Sequence, residues 1–326
     1  MCRVKRVVKI FAAAFLGVVA LVATSRYVLS VDLALALSYI SEIPIYLLVL
    51  ALFARSLGPL LHSAQFYLVI KSHGYRLGFK KVLLGMYSTL ALEYVVPIGG
   101  ATEAGRIAFL VYEGVPPDRA LQITFFHRLA HSAFIAVELA FVVLLTMRID
   151  RFVLWLLLAT AVVNALNLSA VASIKLPKVS RFLLKYVSKL GFRGIESAST
   201  AIPMRRSISA VFLAIGLEKI SLVISGYLLL SYLDKSASLL HSILVFDILL
   251  VTFWLLPIVT PAGIGQVETV QLLASADMNL NINSALSAII LYRLITTVSI
   301  MPQLLPAFIK YGAGVLTRTS NREVCV

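Results

Sequence analysis

Charge is what this chain has least of. Of its 326 residues, 13% are charged, with 15 acidic side chains against 29 lysines and arginines. Ordinary soluble domains carry about a quarter charged residues. A chain that is 60% hydrophobic, with mean hydropathy +0.96, cannot cover its surface with polar groups in water. Cysteine is nearly missing too: Cys2 and Cys325 stand one at each end, which excludes a disulfide framework and a cysteine metal site. There is no Gly-rich phosphate loop and no polar segment long enough for a soluble catalytic domain. No cofactor is expected. The composition is that of an integral membrane protein.

What is present is a series of long apolar runs. A bilayer-spanning helix needs roughly 20 mostly apolar residues. Six runs qualify, at about 7–29, 43–70, 118–147, 152–174, 208–232 and 283–309. The first is too long for a signal-peptide core and lacks a small-residue cleavage site, so it is read as a retained helix. Two shorter runs, 80–96 and 241–256, each end at a proline–glycine turn and continue into a second short helix. Broken backbone at membrane depth is tolerated only where it is buried in protein or lines a cavity. Residues 80–113 and 241–276 are therefore expected to be re-entrant helical hairpins. The expected fold is an all-α integral membrane protein, with six full transmembrane helices and two re-entrant hairpins.

The net charge of +14 does not point to nucleic acid, because lysine and arginine collect in the cytoplasmic loops of membrane proteins. Counting six spans and two hairpins puts Arg3, Lys5, Arg6 and Lys9 inside. It puts Lys71, Arg76, Lys80, Lys81 and Arg119 inside as well, with the basic linker 175–207 and the tail from Lys310. Both termini are then cytoplasmic, and the cell membrane is the expected location. Within the linker, Lys178, Arg181, Lys185 and Lys189 oppose Phe182, Leu183, Tyr186 and Leu190, as in an amphipathic helix lying on the inner leaflet.

A repeat runs through the chain. "PIGGATEAGR" begins at Pro97, and "TPAGIGQVE" begins at Thr260. Glu103 and Glu268 are 165 residues apart, as are Ala120 and Ala285, and Arg128 and Arg293. At that offset the span 43–70 falls on 208–235 and the hairpin 80–113 on 245–278. Three crossings separate the starts of the two units, so the second is expected to be inverted, a recurring plan among transporters. The expected organisation is 1–42, an N-terminal helix and outer amphipathic segment; 43–147, unit 1; 148–207, a connecting helix and basic linker; 208–310, unit 2; and 311–326, a cytoplasmic tail.

These two motifs, each with its Ala-x7-Arg, resemble the membrane region of lysylphosphatidylglycerol synthetases and of the stand-alone membrane proteins related to them. The resemblance covers roughly residues 7–310. In the bifunctional members that region is associated with moving aminoacylated phospholipid between leaflets, while a separate soluble domain makes it. No soluble domain is expected here, so the resemblance implies lipid transport rather than synthesis.

Ionisable residues inside a membrane are costly and mark function. Glu103 and Arg106, three apart, share a helix face behind Gly99 and Gly100. A helix starting near Ala101 would turn its positive end toward an anion, and Arg106 adds a fork suited to phosphate. Gly263, Gly265, Glu268 and Arg293 repeat the theme, with Gln271 in place of Arg106. Glu103 is a partner for either Arg106 or Arg128. Arg128 and Arg293 either bind phosphate or tie their spans to Glu103 and Glu268. Arg55 and Lys219 lie within spans and are further candidate substrate contacts. Glu93 and Asp247 are candidates for proton-coupled steps. His127 and His131, four apart with Glu138 beyond, have the spacing of a metal face, but polar packing against the hairpin is the preferred reading.

The expected function is a flippase or lipid-precursor transporter, not an enzyme. Its partners would be membrane lipids with an anionic or lipid-linked phosphate, and no nucleic acid. The rivals are an intramembrane lipid-modifying enzyme with Glu103 or His127 as acid or base, and a non-transporting scaffold docking through its basic linker.

Overall fold

The computed structural model describes residues 21–28, 30–95, 101–146, 208–249 and 265–307, with isolated positions among 15–19 and 155–165. Most of the first and fourth expected spans, the linker, the tail, and Gly99, Gly100 and Gly263 lie outside the described residues.

Every described element is helical. They are α1 (Leu33–Glu42), α2 (Ile45–Ser72), α3 (Phe79–Val95), α4 (Ala101–Tyr112), α5 (Pro117–Thr146), α6 (Ile208–Leu233), α7 (Leu239–Ile248), α8 (Gln266–Asp277) and α9 (Ile282–Ala307). The second part of α7, Ile243–Ile248, winds as a π-helix, as does the short turn Thr24–Val28. Four of these helices, α2, α5, α6 and α9, are long and apolar enough to cross a membrane. They fall within two residues of the four expected spans at their described ends.

The side chains are arranged inside out relative to a soluble protein. Phe53, Val137, Leu144 and Leu213 are exposed, whereas Arg55, Gln65, Glu218, Lys219 and Asp247 are buried. Hydrocarbon favours that arrangement, because apolar side chains can face it freely while polar ones must find partners inside.

The repeat is visible in the helices. α4 and α8 have equal lengths and start 165 residues apart, as do the first residues of α5 and α9. The turns that end α4 and α8 match as well. After α4, the Gly114 N–H donates to Val111 O (3.1 Å) and the Val115 N–H to Leu110 O (2.9 Å). After α8, Asn279 and Leu280 donate to Ala276 O and Ser275 O, both at 3.0 Å. The turn needs a left-handed residue, φ 88° at Gly114 and 57° at Asn279. Glycine and asparagine tolerate that region best.

The two first helices of the units, α2 and α6, form the most extensive helix pair. Ser225 Oγ donates to Ala51 O across it (2.9 Å). The last helix of each unit reaches into the other: α9 packs on α3, and α5 touches the π-helical part of α7. Glycines set two close approaches. A Cβ on Gly85 would lie 2.4 Å from the Phe109 ring, and one on Gly226 would lie 2.3 Å from the Phe246 ring. Small residues at such crossings let helices pack tightly in a membrane. The first brings α3 and α4 together as paired arms, as a hairpin would, and the second seats α7 on α6.

Candidate functional site

Two ion pairs at the same sequence separation tie each second arm to the span that follows it. Arg128 Nη1 donates to Glu103 Oε1 at 2.8 Å, and Arg293 Nε lies 3.1 Å from Glu268 Oε1. Each pair spans 25 residues, and each joins the first turn of a short helix to the long helix after it. Of the two partners expected for Glu103, the one whose contact is seen is Arg128.

Gly265 stands before α8 with φ 78°, a backbone open to glycine, and its N–H donates to Glu268 Oε2 at 2.7 Å. Glu268 therefore caps its own helix and holds Arg293 at the same time.

Arg106 lies on α4, 7% exposed. Its Nη2 donates to His62 Nε2 at 2.9 Å and its Nη1 to His127 Nδ1 at 3.4 Å. Its Cζ stands 5.9 Å from the centre of the Phe66 ring. His62, Gln65 and Phe66 come from one stripe of α2, and His127 from α5. Behind them lies Glu218 of α6. Its Oε1 accepts from His62 Nδ1 (3.0 Å) and its Oε2 from Gln65 Nε2 (2.6 Å). Gln65 Nε2 also donates to Ala214 O (3.1 Å), and Gln65 Oε1 lies 2.7 Å from His131 Nε2. His127 Nε2 is buried without a hydrogen-bond partner. His127 thus packs against Arg106 of α4, and His131 against Gln65 of the α2 stripe.

Nitrogens of His62, His127 and His131 lie within 4.8 Å of one another. Three histidines at such spacing are a recognised cation-holding set. Here the guanidinium of Arg106 already stands between His62 and His127, so the arrangement fits arginine rather than a metal ion.

Lys219, the neighbour of Glu218, points the other way. Its Nζ donates to Asp247 of α7 and lies 3.4 Å from Glu138 of α5. Arg55 Nε donates to Thr296 Oγ1 (2.9 Å), and its guanidinium lies 5.8 Å from the centre of the Tyr292 ring. The charges from α2, α4, α5, α6, α7 and α9 therefore fall into a few linked groups inside the bundle.

Sequence reasoning singled out Glu103, Arg106, Arg128, Glu268, Arg293, Arg55 and Lys219, but passed over His62 and Gln65. The signal was available. Arg55, His62 and Gln65 recur at helical spacing along an otherwise apolar span, alternating with exposed Phe53, Leu57 and Leu60.

A bundle of apolar spans enclosing paired charges defines a polytopic α-helical membrane protein. Residues 5–302 match the family described as lysylphosphatidylglycerol synthase TM region, and the chain belongs to that family. Membership places it among membrane proteins of lipid metabolism or transport. A comparison with curated proteins finds no match.

Proposed function

We propose that the protein moves a lipid with an anionic phosphate headgroup, a phospholipid or a lipid-linked precursor, between the leaflets of the cell membrane, with both termini in the cytoplasm. The two units act as inverted halves, and the pairs α3–α4 and α7–α8 act as re-entrant hairpins whose tips meet the headgroup from opposite sides. The observation that supports this best is Arg106. It is a buried guanidinium in contact with two imidazole rings at 2.9 and 3.4 Å. A hydrogen bond to an imidazole is given up more readily than an ion pair, so Arg106 can turn to a phosphate and grip it with two parallel donors. The Glu103–Arg128 and Glu268–Arg293 pairs hold the hairpins in place around it.

The test is translocation of fluorescent phosphatidylglycerol in reconstituted vesicles, read by quenching from outside. Wild type should exceed protein-free vesicles. Arg106→Lys keeps the charge but loses the fork, and should slow movement on the order of tenfold. Arg106→Gln should fall near background while eluting as a folded protein. A folded Arg106→Gln protein with full activity would move the phosphate clamp elsewhere.

A second reading rests on the His62–Glu218 pair, which has the form of a carboxylate-oriented base. An enzyme would change the mass of the lipid recovered from the vesicles, and a transporter would not.

A further inference from the structure

The protonation of the histidine cluster is fixed by its neighbours. A guanidinium has only donors, so His62 Nε2 and His127 Nδ1 both turn lone pairs toward Arg106. Ionised Glu218 only accepts, so His62 carries its proton on Nδ1 and is neutral. The amide nitrogen of Gln65 is committed to Glu218 and Ala214, so its oxygen faces His131, whose Nε2 bears the proton. His62 has one lone pair left, and Arg106 occupies it.

We propose that His62 Nε2 is a proton-binding site at which a proton and the Arg106 guanidinium compete, so that a proton is taken up when Arg106 turns to a lipid phosphate. This deepens the transport reading above and rests on it for the lipid half. The charge balance requires the exchange. With Arg106 on His62, Arg106 and Glu218 neutralise one another through the imidazole. When phosphate takes Arg106, Glu218 is left as a buried anion without a cation. An uncompensated buried charge is strongly unfavourable. A proton from water forms a new N–H bond at His62 Nε2 as the Arg106 hydrogen bond breaks. The imidazolium then pairs with Glu218 through Nδ1–H, and Arg106 keeps all its own protons. Both states are locally neutral.

The other groups around His62 do not supply that cation. From α5, His127 and His131 face it, with ring centres 4.9 and 5.1 Å away. His131 donates to Gln65 through Nε2, which also lies 3.8 Å from Glu218 Oε2, and Lys219 on α6 is engaged by Asp247 and Glu138. Arg128 on α5 is held by Glu103. On α2 itself, Arg55 lies seven residues earlier and meets Thr296 and Tyr292 of α9.

The experiment has two arms, both on the full chain in detergent. In the first, no lipid is added, and the ring nitrogens of 15N-histidine protein are titrated by NMR, with His62 assigned through His62→Gln. Arg106→Gln should raise the pH at which His62 gains its second proton, and Arg106→Lys should move it less. Identical transitions in wild type and Arg106→Gln would overturn the competition. In the second, short-chain phosphatidylglycerol is added in weak buffer, and proton uptake is followed with an indicator dye. Wild type should take up about one proton per bound lipid, and above the His62 transition its affinity should fall about tenfold per pH unit. The double variant His62→Gln, Glu218→Gln lacks both proton acceptors and should bind lipid with no uptake and no pH slope, while His73→Gln, at the C-cap of α2, should retain both. PH-independent binding without uptake in wild type would overturn proton exchange and leave transport standing. Absence of any lipid binding would overturn the transport reading, and the first arm would still decide the competition. A divalent metal bound by the purified protein and lost in His62→Gln would overturn the proton as occupant.

Discussion

Glu103 and Arg128 show what single residues contribute. Their side chains keep 19% and 17% of their exposure, so the pair is shielded but not sealed. Removing either partner leaves the other charged in apolar surroundings, and removing both does not. Glu103→Gln and Arg128→Gln should each lower thermal stability in detergent, and the double variant should lose less than the sum, with a coupling of about 1–3 kcal/mol. Strictly additive losses would show that the two do not interact. Asp234, in the turn after α6, gives a pH dependence. Burial acts to raise the pKa of its carboxyl, but donors from Ser236 N–H, Ser236 Oγ and Asn281 N–H outweigh it, and the net pKa lies below the usual value. A carboxyl with a depressed folded pKa adds stability that is present above its unfolded value near about 4 and is lost as pH falls through the folded one. Wild type should therefore lose melting temperature more steeply below about pH 4 than Asp234→Asn does. Parallel profiles would remove Asp234 from that role. The sequence marked Glu103, Arg128, Glu268 and Arg293 because the repeat doubled them. It gave no such mark to His62, whose place at offset 165 is taken by Tyr227, so only the fold brings it to Arg106 and Glu218.

At the level of helices, the four described spans were legible because a run of apolar residues long enough to cross a bilayer is bounded by polar or turn-forming residues at both ends. The start of α4 at Ala101 was also legible, since Pro97, Gly99 and Gly100 in the sequence disfavour a helix running unbroken through them. What could not be read was the winding of α7. Its π-helical stretch, Ile243–Ile248, carries Asp247, which meets Lys219, and Phe246, which covers Gly226, both tertiary contacts. Helical periodicity carries no trace of them. Gly226 should accordingly be sensitive to size. Gly226→Ala places a methyl against the Phe246 ring and should cost about 1–3 kcal/mol of stability. Adding Phe246→Leu should restore part of that loss by making room. An unchanged melting temperature in Gly226→Ala would mean that α6 and α7 are not closely packed there.

At the scale of the whole molecule, the described helices of 43–147 and 208–307 follow one plan. The matched turns at Gly114 and Asn279 and the matched ion pairs leave little room for a chance likeness. Its inversion is open to a direct test. Single cysteines at Ser72 and at Lys235, with Cys2 and Cys325 replaced, mark the ends of α2 and α6, the equivalent helices of the two units. Inverted units require them to react from opposite sides of the membrane, Ser72→Cys from the cytoplasm and Lys235→Cys from outside. Labelling of both from one side would make the units parallel. The ion pairs also divide the molecule mechanically. Glu103–Arg128 and Glu268–Arg293 lie within a unit. The contacts between units include His62 and Gln65 of α2 on Glu218 of α6, the Glu138–Lys219 ion pair, and Arg55 of α2 on Thr296 of α9. The first of these can be remade by moving a proton. Glu103–Arg128 and Glu268–Arg293 thus fasten each unit to itself, while the seam between the units holds the one contact, His62 on Glu218, that the proton exchange proposed above would remake.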